Sequence, residues 1–234
     1  PSTLTKYQPG DRVPGLNVGG WHDAGDFDLR VESQAGEAYN LALAFEVFHV
    51  DYDATTIDQE HKITEIHQPD GKNDILQQIE HGVLSVVSGY RALGRLYRGI
   101  ICNDLRQYVL LGDPAAMTGN IAGDEDNRWV FTEDNSPRQL MTAAQLAGAS
   151  RALKGFNDEL SSEALQDAIE LYESTVGDHL VNENFASFHA VTDGSDKTDH
   201  ARVHAAVELF LTTGDDCYKD YLLRQCDFIV ENIK

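Results

Sequence analysis

The chain has 234 residues, enough for one large domain or two small ones with a real core. Acidic residues outnumber basic ones 39 to 18, a formal charge of −21. That charge opposes nucleic acid phosphates and anionic membrane surfaces, and leaves a neutral polysaccharide as a fitting partner. No apolar run approaches the length that crosses a bilayer, so membrane insertion is not expected. The chain starts at Pro1, with neither an initiator Met nor a signal peptide, and is expected to be cut from something longer.

The first thirty residues are rich in Gly, Pro and Asp and predict a loop. Helices then dominate. From Glu37 to Val50, Ala38, Leu41, Ala42, Phe45 and Phe48 recur at spacings of three and four. Ile75, Ile79, Val83, Val87, Tyr90, Leu93 and Tyr97 do the same from Asp74 to Arg98. Ser136-Pro137 predicts an N-cap with Pro at the first helical position. The small residues of QLMTAAQLAGASRAL suit a helix that packs close to its neighbours. Ser161 is the expected cap of a fourth helix, and a fifth runs from about Asp199 to Thr213, closed by Gly214. Asp215 caps a sixth, which is expected to hold both Cys217 and Cys226, too far apart along it to pair. The third cysteine, Cys102, adds no metal pattern. Stretches 51–72, 99–135 and 181–197 predict long loops, and no strand signal is comparably strong.

Chemistry concentrates in GGWHDAGDFDLR, residues 19–30. Asp23 and Asp26 lie three apart around Gly25, whose backbone freedom lets a tight turn aim both carboxylates into one space. Such a pair can orient and deprotonate a water or bind a metal. The spacing alone is a weak signal and more often describes a solvated turn or a helix cap. No HExxH, P-loop, dinucleotide fingerprint or G-x-S-x-G elbow is present.

The wider context is more specific. GGWHDAGD resembles the GGWYDAGD motif of glycoside hydrolase family 9, the cellulase family. Downstream and in order, NDILQQIEHGV is similar to the family's LLDEIKWATDY helix, QLMTAAQLAGAS to GETAAALAAAS, and SDKTDHARVHAAVELFLTTGDDCY to SGYQDELVWGAAWLYRATGDDSY. The resemblance implies an all-α (α/α)6 barrel, a toroid of helical hairpins, with about half of it in residues 1–234. Residues 1–31 would be the aspartate-motif loop and 32–234 about six helices. It implies hydrolysis of β-1,4-glucan with inversion, Asp26 as the general base and Asp23 helping to hold the attacking water. Trp21, His22 and Trp129 are the candidate substrate-binding residues. An exo-acting relative and a non-catalytic carbohydrate-binding toroid are the alternatives.

Departures bear on these expectations. His22 replaces the usual Tyr, and Phe27-Asp28-Leu29-Arg30 replaces the common HVKF. The family's general acid is a Glu in a C-terminal motif that this chain does not reach. Glu183 in VNENF stands in the wrong place for it. The fragment alone is therefore expected to be inactive and to self-associate through an open barrel seam. No cofactor is required. A calcium ion, which the family often holds near its SGYxDE segment, would find a carboxylate at Asp199 and carbonyls at Ser195 and Asp196, but His200 in place of Glu. By resemblance the protein is secreted or periplasmic.

Overall fold

The computed structural model describes residues 5–16, 18–23, 27–101, 129–176 and 194–232. Among them, helices dominate. After β1 (Leu29–Arg30) the chain enters α1 (Val31–Phe48), six residues earlier than its periodicity suggests. The helix stops at His49, whose left-handed backbone (φ 51°) lets its N–H bond back to Phe45. α2 (Asp74–Leu93) begins where the Asn73 side chain accepts from the N–H groups of Ile75 and Leu76. It ends at Gly94, with φ 71°, rather than continuing to Arg98. Tyr97, expected on that helix, lies beyond it. It folds back against Gly89, buried, with its hydroxyl donating to the Ser85 carbonyl at 3.0 Å.

α3 (Ser136–Leu153) is capped by Asn135, which accepts from the Arg138 N–H, so the cap sits one residue before the expected Ser136, and Pro137 occupies the first turn. α4 (Asp158–Val176) starts three residues before Ser161, with Asn157 accepting from the Leu160 N–H. Ser161 instead donates to the Ser150 carbonyl and ties α4 to α3. α5 (Gly194–Thr213) closes at Gly214, with φ 71° and its N–H on the Phe210 carbonyl, as expected. The sixth expected helix divides at Gln225 into α6 (Asp216–Arg224) and α7 (Cys226–Asn232). Cys217 and Cys226 thus sit on different helices, both exposed and both free thiols.

The strands are short, and the sequence reading missed them. β2 (Thr55–Asp58) and β3 (Ile63–Ile66) form an antiparallel hairpin inside the expected 51–72 loop. β1, β4 (Gly99–Ile101) and β5 (Trp129–Phe131) form a second antiparallel sheet in the order β1-β4-β5, with Leu29 opposite Ile100 and Ile100 opposite Val130.

α3 is the packing centre, with α1, α4 and α5 against it, while α2 packs on α1. Its small residues make this close approach feasible. Ala143, Ala144 and Ala147 are fully buried, and a Cβ on Gly148 would stand 2.5 Å from the Tyr39 ring of α1. Below that contact a polar network joins three helices. Arg151 of α3 grips Glu46 of α1 with two hydrogen bonds, at 2.7 and 3.0 Å, and donates to Glu208 of α5 at 3.0 Å. The Tyr39 hydroxyl donates to the other Glu208 oxygen at 2.7 Å. Burial and the neighbouring Glu208 push the Tyr39 hydroxyl far above its ordinary range, and burial lowers the His204 imidazole beside it.

Candidate active site

The segment before the aspartates lies flat on helix α2. Gly19 and Gly20 both have left-handed backbone, φ 60° and 83°. A Cβ on Gly19 would be 2.3 Å from the His81 carbonyl oxygen, and one on Gly20 would be 2.9 Å from Gln34 Oε1. The doubled glycine is therefore a requirement of close approach. Gly20 donates to the His81 carbonyl at 2.9 Å, and its own carbonyl lies 2.7 Å from His81 Nε2. A carbonyl only accepts, so Nε2 is the protonated nitrogen of that ring. His81 Nδ1 meets the Gln59 side chain from the tip of the β2–β3 hairpin at 2.9 Å.

Trp21 is held on every side. Its N–H donates to Gln34 Oε1 at 2.7 Å, and its carbonyl accepts from Gln34 Nε2 at 2.9 Å. Gln34, on α1, is buried and pairs with the Trp21 backbone as a neighbouring strand would. The indole N–H donates to Gln78 Oε1 at 3.1 Å. The indole ring covers Gly82, where a Cβ would stand 2.6 Å from Cζ3 and Cη2, and meets the His81 ring edge-on at 5.6 Å.

The aspartates then separate by environment. Asp28 is buried and accepts from Arg30 Nη2 at 2.8 Å. Asp23 is exposed, and its N–H donates to the Asp28 carbonyl at 3.1 Å, so the loop between them is closed at its base. His22 is exposed as well and meets the Phe27 ring edge-on. Asp26 lies outside the described residues. The like charges are thus kept apart by turning Asp28 inward onto a guanidinium while Asp23 stays at the surface.

The β1-β4-β5 sheet joins this loop to Trp129, which is 42 % exposed on β5. Nearby, Arg138 at the start of α3 pairs with Glu32 at 2.5 Å and with Glu133, and Arg95 pairs with Asp134, so the end of the helical layer that carries the aspartate loop is laced by ion pairs. Trp21, His22 and Asp23 share one loop, with Trp129 linked to it through backbone pairing. Asp199 stands apart, inside α5 and near enough to Tyr221 of α6 to oppose ionisation of its phenol. Glu183 lies outside the described residues.

Sequence reading missed Gln34, Gln78 and His81. One signal was there. Gln34 interrupts the apolar stripe Val31, Ala35, Ala38 and Ala42 at helical spacing, and a polar residue in such a stripe needs a partner.

The profile of glycosyl hydrolase family 9 matches residues 5–230. The chain belongs to glycosyl hydrolase family 9. Solved structures agree on the fold. A metagenome-derived family 9 endoglucanase superposes with a TM-score of 0.65 at 24% identity, covering 95% of this chain and 38% of that one. The endoglucanase of the termite Nasutitermes takasagoensis gives 0.62 at 19% identity, covering 92% and 46%. A cellulase of C. cellulolyticum gives 0.52 at 19%, covering 93% and 46%. This family 9 chain therefore spans less than half the length of each, and its helices correspond to part of their (α/α)6 barrel. No curated protein sequence matches it.

Calcium, which the family resemblance suggested, finds a poor donor set. Ser195 and Asp196 lie in the first turn of α5, where their carbonyls accept from the helix ladder. Asp199 is inside the helix rather than at its start, and the His200 ring packs edge-on against Phe228 at 5.0 Å. Among the described residues no three His, Cys, Asp or Glu side chains converge as a metal would require. Among the described residues, this segment does not supply the six to eight oxygens calcium takes.

Proposed function

We propose that this family 9 chain is the aspartate-bearing part of a glycoside hydrolase that cleaves β-1,4-linked glucan with inversion. The observation that carries the reading is the profile match across residues 5–230, joined to a GGWHDAGD loop mounted on α1 and α2. Asp26 acts as general base and takes a proton from the attacking water. Asp23, exposed in the same motif, holds that water with a second carboxylate. Inversion needs that water between base and sugar, with an acid on the opposite face. His22, Trp129 and the outer edge of Trp21 contact the sugar. The acid is supplied from outside this chain, and the protein works outside the cytoplasm, where its polymer substrate is found.

The test is Asp26→Ala in the enzyme that carries this chain. Loss of a general base lowers turnover about a hundredfold to ten-thousandfold, while oligosaccharide affinity is retained. Asp23→Ala lowers turnover too. Wild-type turnover in Asp26→Ala removes the assignment, and product anomers read by NMR test inversion. Expressed by itself, the chain is expected to self-associate. Support comes from Leu211, Leu223 and Val230, which expose 58, 60 and 72 % of their surface on the last three helices. Sedimentation velocity measures it.

A further inference from the structure

The β2–β3 hairpin is held to the helical layer by polar contacts. None of its strand residues belongs to the hydrophobic core or packs on it as a partly buried apolar side chain. At its base the Asp74 carboxylate, at the start of α2, accepts from the N–H groups of Ala54 and Thr55 at 3.0 and 3.2 Å. At its tip Asp58 closes the turn by accepting from the His61 N–H at 2.9 Å, and the next residue, Gln59, reaches His81. His81 stands about two turns, roughly 10 Å, further along α2 than Asp74. The hairpin is thus a short arm, fixed at one end to the start of α2, with its other end on the ring that holds Gly20.

The Gln59 amide is matched to that ring. His81 Nε2 donates to the Gly20 carbonyl, so a neutral imidazole presents a lone pair at Nδ1 and a charged one presents an N–H. A glutamine amide carries a donor and an acceptor on one planar group and answers either ring by a half-turn. With Oε1 on Nδ1 at 2.9 Å the ring carries both protons, and the Gln59 Nε2 is buried with no partner. With the amide turned, its NH2 group meets the lone pair of a neutral ring.

Resting on the hydrolase reading above, we propose that Gln59 and His81 are positioning residues for that reaction, through which the hairpin arm sets the place of the aspartate loop. Gln59 orients the His81 ring, and the ring fixes Gly20. Asp23 follows Gly20 by three residues, and its N–H is bonded to the Asp28 carbonyl, so a shift at Gly20 passes to the carboxylates. Neither Gln59 nor His81 touches the reacting atoms. Their effect is geometric, and geometry is costly to lose, because a misplacement of about 1 Å lowers turnover by about a hundredfold. The absence of apolar packing under the hairpin makes the polar link at its tip decisive.

The test is Gln59→Leu, which keeps the size of the side chain and removes its amide. In the enzyme that carries this chain, kcat on cellohexaose should fall roughly threefold to tenfold, the effect of losing one hydrogen bond, with KM unchanged. His81→Leu should lower kcat further. His81→Gln keeps an N–H for the Gly20 carbonyl and should restore most of it. In the His81→Leu background Gln59→Leu should cost nothing more, since its partner is already gone. In this chain, hydrogen exchange at the Gly20, Trp21 and Asp23 amides should be faster in Gln59→Leu than in the wild type. Thermal melts check that each variant is folded. A Gln59→Leu protein with wild-type kcat and wild-type exchange overturns the proposal and leaves the hydrolase reading intact. A raised KM at unchanged kcat, or a loss that persists in full in the His81→Leu background, overturns it too. Faster exchange at those amides, in an enzyme whose turnover ignores Asp26→Ala, overturns the catalytic assignment and leaves the placing of the loop by Gln59 and His81 standing.

Discussion

Replacing Gly82 with Ala tests how the aspartate loop is mounted. A methyl group there would stand 2.6 Å from two carbons of the Trp21 indole and 3.1 Å from the Ala38 Cβ. Ordinary carbon contacts are about 3.5–4.0 Å, so the ring must move by roughly 1 Å. It cannot move freely. Gln34 holds the Trp21 backbone with two hydrogen bonds, and Gln78 holds the indole N–H. Overpacking a fixed site costs about 1–3 kcal/mol. Against this, alanine improves the helix by about 0.8–1.0 kcal/mol over glycine. The net expectation is a loss of up to about 2 kcal/mol, or a melting temperature lower by up to about 8 °C for a chain of this size. Urea titration gives the first number and calorimetry the second. Hydrogen exchange supplies the local readout, with the amides of Trp21 and Asp23 exchanging faster in the variant than in the wild type. A Gly82→Ala protein that is more stable than the wild type, with those amides still protected, would refute the packing of Trp21 on α2.

Arg151→Ala strands the buried Glu208 carboxylate beside Tyr39 and is expected to cost about 3–5 kcal/mol in a denaturant titration. Adding Glu208→Leu to it should recover much of that loss. Asp167, with its Oδ2 buried on α4, titrates at about 7, chiefly because burial disfavours its charge and secondarily because Glu170 and Glu163 repel it. Its folded value lies above the unfolded one of about 3.9. Its contribution to stability is therefore complete below about pH 4 and lost as pH rises through about 7. Asp167→Asn should raise the melting temperature at pH 8 and leave it unchanged at pH 4, and an equal effect at both would contradict the assignment. Because Asp199 sits within α5, a chelator is expected to leave the melting temperature unchanged, and a drop that calcium reverses would restore the ion.

The sequence by itself determined the helices and the family. Apolar spacing of three and four is a local property, so the bodies of α1 to α5 were legible, as was the stop at Gly214. The crowding of small residues in α3 announced a helix that packs close to its neighbours, and the structure shows α1, α4 and α5 against it. Motif order from GGWHDAGD to TTGDDCY was enough to place the chain in family 9. Only the tertiary structure decided which aspartates are buried. Asp23 and Asp28 look alike in sequence, yet Asp28 turns inward onto Arg30 because Leu29–Arg30 pairs with Gly99–Ile101, some seventy positions away. A two- or three-residue strand has too short a pattern to be read, and its partner is chosen by the whole fold. Tyr97 shows the same limit. Its spacing continued the stripe of α2, but Gly94 ended that helix, and the ring found its place against Gly89 through a bend that no local period records. The mount of Trp21 needs α1, α2 and the hairpin tip together, and hydrogen bonds between residues that meet only after folding leave just a faint mark in the sequence, a glutamine where an apolar residue was due.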